Sequence, residues 1–366
     1  MIGILAWIAA LAAPARPAEV RAPHSGAAAV EHFAQEYLPW EPESRVTARP
    51  EPAQDLAGFH AWSIERKGKY EKLEVKATYL VSDDGQWIFT GNLVKNTADQ
   101  KKTRPITSNE DLAGVSGYFS GLFHSRATAV LDKPADRAGL KGVSVLLNTG
   151  YFTQPVRAYV EADGSGLLVG QIWKLHESVP AQRRAIMDLS DSASQGPASA
   201  KYTIVEYADM ECPFCKKRGL QMDRLMDEYS GKLSLRRVYR YYPLWVNHVW
   251  SPKAASAAVC LSHYNPNYVF QFKKLAYENQ DTLTVAGIDE LAVNFAEANN
   301  VPKGEFLSCY LHDASFATVR RDMDEGGHLG VISTPTYYIN GVEIYWLPDD
   351  VMEEYLKTLL GASRRG

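Results

Sequence analysis

Cysteine is missing from the first 211 of the 366 residues, and the four present, Cys212, Cys215, Cys260 and Cys309, all lie in the C-terminal half. The N-terminal half must therefore fold without disulfides. An excess of either charge is missing too. With 39 Lys and Arg against 43 Asp and Glu, the net charge is −4 and no long basic block occurs, so nothing in the electrostatics invites nucleic acid or an anionic membrane surface. Long apolar runs are scarce as well. The one near the start, Met1 to Leu11, is shorter than the roughly 20 residues a bilayer span requires. Small residues and prolines follow it, with cleavage-like sites near Ala13-Pro14-Ala15 and Ala18, so residues 1–18 read as an export signal, although the charged region such signals begin with is also lacking. What remains, 46% hydrophobic and 22% charged, is ordinary globular material long enough for two cores, expected to be soluble and extracytoplasmic once the leader is removed.

The segment 188–200, DLSDSASQGPASA, is small, polar and aperiodic, and reads as a linker between two domains, 28–187 and 201–362. Within the first domain a pattern occurs twice. Leu80 to Gly85 leads into Trp87 to Leu93, and Tyr159 to Gly164 leads into Leu167 to Ile172, each a strand, an Asp-Gly turn and a second strand. A further strand candidate precedes each hairpin, at Gly58–Ile64 and Gly142–Leu147, and a helical stretch precedes that, at Ala28–Leu38 and Asp111–Phe123. The expectation is an α+β domain of two helix-plus-antiparallel-sheet units, about 28–96 and 110–175. The second domain reads as strand (Tyr202–Tyr207), helix (Pro213–Tyr229), strand (Leu233–Tyr242), a helical region over about 252–326, two short strands (Thr336–Ile339 and Val342–Trp346) around the Asn340-Gly341 turn, and a helix (Asp349–Leu360). That order is the α/β thioredoxin layout with an inserted helical domain.

Cys212-Pro213-Phe214-Cys215 falls where the first strand of this domain hands over to its helix. A cysteine at a helix N-terminus faces unsatisfied backbone N–H groups and the positive end of the helix dipole, which favour the thiolate that attacks disulfides. Pro213 fits the first helical turn, where its missing N–H costs little. Cys212 is then the nucleophile and Cys215 the resolving thiol. A CxxC pair can instead be half of a zinc site, but no second CxxC or suitably spaced His pair accompanies it, so no metal is expected.

The segment Glu206 to Cys215, EYADMECPFC, resembles the active-site strand and helix of DsbA-like thioredoxin-fold proteins, and two later segments, Tyr239 to Leu244 and Gly330 to Gly341, resemble that family's second strand and its cis-proline loop with hairpin. The resemblance covers about 202–360. It implies a cis Thr334-Pro335 bond lying against the CxxC pair, with Thr334 offering its backbone to a client's extended chain and its hydroxyl near the Cys212 sulfur. Thr334, Pro335, Pro213 and Phe214 are thus the substrate-binding candidates. It also implies that Glu206 is a buried acid with a raised pKa that takes and returns the proton of Cys215. Cys260 and Cys309, both in the inserted helices, correspond to a structural disulfide found in many relatives. Lys216, Lys217 and Arg218, just after the motif, read as solvated. Phe214 cannot donate to the Cys212 thiolate as a histidine there could, so a less extreme oxidant is expected than the strongest members of the family.

A shorter stretch, Tyr79 to Gly91, resembles the end of the small dimerisation domain of DsbC and DsbG isomerases. That likeness implies either a homodimer formed through the N-terminal domain or an internal pseudo-dimer made of its two units. The function expected is a thiol-disulfide oxidoreductase acting on exported, cysteine-containing polypeptides, without cofactor, and served by a membrane redox partner. The direction of electron flow stays open between an oxidase and an isomerase or reductase, with a peptide-binding chaperone of secondary redox activity as a third reading.

Overall fold

The computed structural model describes residues 26–363 apart from 53–55, 57, 71–73, 96–104 and 345–347. The expected export signal lies outside the described residues. Helix α1 (Ala27–Tyr37) is followed by four strands, β1 (Arg45–Pro50), β2 (Phe59–Lys67), β3 (Val75–Ser82) and β4 (Trp87–Lys95); after a 3-10 turn at Asn109–Leu112, helix α2 (Ala113–Phe123) is followed by β5 (Ala127–Arg137), β6 (Leu140–Asn148), β7 (Thr153–Glu161) and β8 (Gly166–Lys174). The eight strands form one antiparallel sheet in the order β1-β2-β3-β4-β8-β7-β6-β5. The last strands of the two units meet at its centre.

Alternation along β4 shows how this sheet is covered. Ile88 packs beneath α1 with Phe33, Trp62 and Trp173, and Val94 packs beneath α2 with Phe119 and Val145. The intervening Phe89 and Leu93 point the other way, into a cluster drawn from both units that includes Leu80, Leu168 and Ile172. Both helices therefore sit on one face, each over its own core, while the opposite face is shared.

The C-terminal sheet runs β13-β12-β10-β11-β9. Strand β10 (Tyr202–Ala208) lies parallel to β11 (Leu235–Tyr241) through helix α4 (Pro213–Tyr229), and β12 (Thr336–Ile339) and β13 (Val342–Ile344) continue it antiparallel. Five helices, α5 (Ser251–Ser262), α6 (Asn267–Asn279), α7 (Val285–Ala298), α8 (Lys303–Tyr310) and α9 (Asp313–Leu329), fill the insertion, and α10 (Val351–Ser363) closes the chain. Cys260 on α5 is bonded to Cys309 on α8, with an S–S distance of 2.05 Å.

The 188–200 segment differs from the expected linker. Ser194–Gln195 forms β9, an antiparallel edge strand on β11, Ala193 is buried, and the Asp188 N–H donates to Glu325 at 2.7 Å. Small polar residues suit a short edge strand as well as a flexible tether, and composition does not separate the two. A helix that periodicity did not reveal, α3 (Val179–Ile186), precedes it and carries the fully buried Arg183. This guanidinium lies over the rings of Tyr37 and Tyr338 and bonds the Tyr37 carbonyl and Glu343, each at 2.8 Å, tying α1 to the thioredoxin sheet. On the other side of the molecule, β7 packs along α9, where Arg157 pairs with Asp324 at 3.2 Å and Phe152 stacks on Phe316. The N-terminal domain thus grips the C-terminal one at two separate places.

Candidate functional site

Strand β10 ends at Ala208, and α4 begins at Pro213 with Cys212 in extended geometry as its N-cap. Cys212 and Cys215 are free thiols, both buried, and their surroundings set them apart. The Cys212 thiol is brought down to about 6, first by the hydrogen bond from Cys215, which outweighs burial, with Thr334 adding to the effect and the Asp209 charge opposing it. Cys215 is pushed well above its ordinary value, chiefly by burial. One thiol is a thiolate at neutral pH and the other holds its proton.

Thr334-Pro335 is cis, and Cys212 Sγ lies 3.4 Å from the Thr334 carbonyl oxygen, to which its protonated form donates. The loop before β12 thus lies directly against the nucleophile. Pro213 and Phe214 face solvent, Phe214 being 52% exposed, and Ile332 on the facing loop is 90% exposed, so the thiols sit between two apolar projections. All four substrate-binding candidates surround Cys212.

Glu206 is fully buried, as expected, but the direction of its pKa is not. Burial pushes the carboxyl up, yet Arg237 and Lys273 together hold it below the usual carboxylate range. Arg237 places Nε at 2.8 Å and a terminal nitrogen at 2.6 Å from the same Glu206 oxygen, and Tyr337 reaches the other at 3.5 Å. A carboxylate gripped by a buried guanidinium is a poor proton acceptor, so the expected raised pKa of Glu206 is corrected. Its partners are 31 and 67 positions away in the chain, which is why the apolar neighbours Ile204 and Val205 misled. Arg218 also departs from expectation: it is buried, bonding Gln221 and Asp349, whereas Lys216 and Lys217 pair with Asp281 and Asp349 at the surface.

Four further residues complete the site: Asp209 and Glu211 from the motif segment itself, and His248 and Lys273, which carry no local signal in the sequence. Asp209 is buried and accepts hydrogen bonds from the backbone N–H groups of Glu211 and Leu244, from the Ser251 hydroxyl and from His248 Nδ1 at 2.6 Å. A carboxylate only accepts hydrogen bonds, so in this pair the imidazole is the donor. Burial lowers the pKa of His248, but the bond to Asp209 wins and raises it, with the charges of Cys212 and Glu211 acting in the same direction. Glu211 accepts from the N–H groups of Trp250 and Ser251, so this acid beside the nucleophile sits at the N-terminus of α5. Lys273, from α6, lies 3.6 Å from Glu206. The loop that carries His248 is braced by the N-terminal domain, since Trp245 donates its indole N–H to Gln154 and Tyr151 donates to the Val249 carbonyl.

Residues 189–358 match a family model described as thioredoxin. Among curated proteins, the chain is 29% identical over 147 residues to Na(+)/H(+) antiporter NhaA 3 of Salinispora tropica, covering 40% of this chain and 21% of that protein. It is 26% identical over 172 residues to the NhaA antiporter of Herminiimonas arsenicoxydans, covering 47% and 25%. The chain thus spans less than a third of the length of the curated relatives it matches. Among solved structures, BdbD from Bacillus subtilis aligns at 20% identity over 48% of this chain and 95% of that one, with a TM-score of 0.43. The thiol-disulfide exchange protein alpha-DsbA2 from Wolbachia pipientis aligns at 18% identity over 50% and 94%, with a TM-score of 0.42. Among the described residues no helix is long and apolar enough to cross a membrane.

Proposed function

We propose that this chain, whose residues 189–358 match the thioredoxin family model, is a thiol-disulfide oxidoreductase acting on exported polypeptides that contain cysteine. The observation that carries this reading is the asymmetry of the two thiols: Cys212 is lowered to about 6 at a helix start against the cis-proline loop, and Cys215 is buried and raised. As a dithiol, Cys212 attacks a client disulfide as the thiolate, forming a mixed disulfide, and Cys215 then attacks Cys212 Sγ to release the client. In reverse, a client thiolate attacks the Cys212–Cys215 disulfide and Cys212 carries the client until a second client thiol displaces it. The exposed Phe214 and Ile332 provide apolar contact for an unfolded client, and Thr334 offers it a backbone edge.

We read the direction as oxidative. A thiol that ionises easily stabilises the reduced enzyme and so makes its disulfide a better oxidant. Phe214 removes the imidazole that would strengthen the effect from within the motif, which sets an intermediate potential. The reaction needs no cofactor, takes place outside the cytoplasm and depends on a membrane redox partner to restore the disulfide. Equilibration of the full chain with glutathione redox buffers measures the potential of the Cys212–Cys215 pair. The expected value lies between the roughly −120 mV of the strongest oxidants and the roughly −270 mV of thioredoxin. A potential at or below the thioredoxin value would overturn the oxidase reading in favour of a reductase or isomerase.

A further inference from the structure

An acid buried beside a nucleophilic cysteine works against the chemistry proposed above, because its negative charge opposes the thiolate. Asp209 is such an acid. Its side chain is fully buried, its backbone N–H donates to Cys215 Sγ at 3.5 Å, and its carbonyl oxygen accepts the Cys212 N–H at 3.3 Å, so the residue touches both members of the thiol pair. Cys212 is lowered first by its hydrogen bond with Cys215, and Cys215 is raised first by burial; on both the Asp209 charge pushes upward. Three neutral donors, the N–H groups of Glu211 and Leu244 and the Ser251 hydroxyl, solvate the carboxylate without cancelling its charge. The fourth donor, His248, can carry a charge of its own.

The chain pins this imidazole from both sides. Before it, the Leu244 N–H bonds Asp209; after it, the N–H groups of Trp250 and Ser251 bond Glu211, the neighbour of Cys212. From the N-terminal domain, Gln154 accepts the Trp245 indole N–H and the Tyr151 hydroxyl donates to the Val249 carbonyl at 3.4 Å. His248 is thereby fixed against the turn that leads into Cys212, its side chain 17% exposed and its Nδ1 2.6 Å from Asp209 Oδ2. The titratable groups around it are Asp209 and Glu211 from that turn, Cys212 at the start of α4 and, from the N-terminal domain, the Tyr151 phenol on the Val249 carbonyl. Burial disfavours the imidazolium, whereas Asp209, Cys212 and Glu211 all favour it.

We propose that His248 is the positioning residue that makes Asp209 compatible with a reactive thiolate: as an imidazolium it neutralises the buried carboxylate against which the Cys212–Cys215 pair is built. The inference rests on the thiol-disulfide exchange reading above and deepens it. Phe214 leaves the dipeptide of the motif without a cation. The cation comes instead from the loop before α5 and acts through Asp209. With the ring protonated, the dithiol form with its Cys212 thiolate is stabilised, and the disulfide is the stronger oxidant. When the ring loses its proton, Nδ1–H still donates to Asp209, so the geometry stays while the compensating charge goes. The carboxylate then bears on both sulfurs and the disulfide becomes a weaker oxidant. Such coupling is reciprocal: the imidazolium favours the thiolate by as much as the thiolate favours the imidazolium.

Reciprocity supplies the test. Proton NMR follows the histidine rings of the full chain through a pH titration, once as the dithiol and once as the Cys212–Cys215 disulfide. Of the nine histidines, one should titrate higher in the dithiol form, by on the order of half a pH unit or more, and its signal should be the one missing from His248→Gln. Gln keeps a donor for Asp209 without the charge, and Lys keeps the charge. In glutathione redox buffers His248→Gln should be the weaker oxidant by on the order of tenfold in the equilibrium constant, or about 30 mV, with the alkylation midpoint of Cys212 moved upward. His248→Lys should stay within about threefold of the wild type. A merely structural hydrogen bond would leave the Gln variant at the wild-type value. The comparison of the two redox forms needs only the wild type and stands if a variant does not fold. Equal histidine midpoints in both forms, a Gln variant as oxidising as the wild type, or a Lys variant no better than Gln would overturn the role of His248 alone. A wild-type disulfide that does not exchange with glutathione would instead overturn the reading on which it rests.

Discussion

At Cys212 a single side chain links chemistry to stability. Its thiol moves from an ordinary 9.0 to about 6 in the folded reduced protein, first through the hydrogen bond from Cys215. The folded pKa lies below the unfolded one, so the folded dithiol binds fewer protons than the unfolded chain between those two values. The resulting stability is fully present above about 9 and is lost as pH falls through about 6. The Cys212→Ser variant has no such thiol. The difference in urea-unfolding free energy between the reduced wild type and this variant should therefore shrink steadily from pH 9 to pH 5, and a difference independent of pH would refute the assignment. Alkylation of Cys212 should show the same midpoint. How much of the site can be read from the chain follows from where each residue's partners lie. Cys212, Pro213, Phe214 and Cys215 are legible because a strand-to-helix junction is local, and Thr334-Pro335 because a proline before a β-rich run marks its own turn. Arg237, Lys273 and His248 carry no local mark. Their roles arise only when β11 and α6 converge on Glu206 and the loop before α5 converges on Asp209, and the first convergence reverses the protonation expected of Glu206.

Strands and helices with one buried face announce themselves, whereas edges do not. The inner strands β2, β3, β4, β6, β7 and β8 alternate apolar and polar residues around two Asp-Gly turns and were readable as hairpins and their neighbours. The two strands of the eight-stranded sheet that were missed, β1 and β5, are its outer edges, and the third missed strand, β9, is an edge of the other sheet. The sequences of β1 and β5, RVTARP and ATAVLDKPADR, carry charges and proline, which blur the alternation but suit an edge that must not pair with another chain. The seam between β4 and β8 depends on a feature that reads as weakness in a strand. Gly91 pairs with Gly170 near the midpoint of a register running from Trp87–Lys174 to Lys95–Gly166. At Gly91, φ is +148°, and a β-carbon would meet the Val169 carbonyl oxygen at 2.3 Å; at Gly170, φ is +156°, and it would meet the Thr90 oxygen at 2.2 Å. Neither oxygen can yield without breaking the ladder. Gly170→Ala should therefore cost roughly 2–4 kcal/mol in urea unfolding followed by tryptophan fluorescence. Gly121→Ala, on α2 with open space around it, should gain up to about 1 kcal/mol. A Gly170→Ala variant as stable as wild type would show that the seam tolerates a side chain.

For the whole molecule, the same seam bears on assembly. Had the two N-terminal units belonged to separate chains, β4 of one and β8 of the other would be open edges able to join copies. Here nine residue pairs, Trp87–Lys174 through Lys95–Gly166, join them within one chain. The remaining edges, β1 and β5, carry the protective charges and prolines already noted, and the β13 edge of the thioredoxin sheet is met by Trp40, whose N–H donates to the Glu343 carbonyl. Each described sheet edge toward which a second copy could extend is thus paired or guarded, apart from the two-residue strand β9. The domains are also held together by Arg183 on one side and by the β7–α9 contact on the other, which favours a fixed arrangement over domain exchange. The expected assembly is therefore a monomer containing an internal pseudo-dimer. Light scattering on the eluted protein should give a mass no greater than the 40.7 kDa of the single chain, unchanged over a hundredfold dilution, on the order of the range needed to expose a micromolar dimer. A concentration-dependent rise toward twice that mass would mean that the guarded edges, or a face away from the sheets, join copies after all.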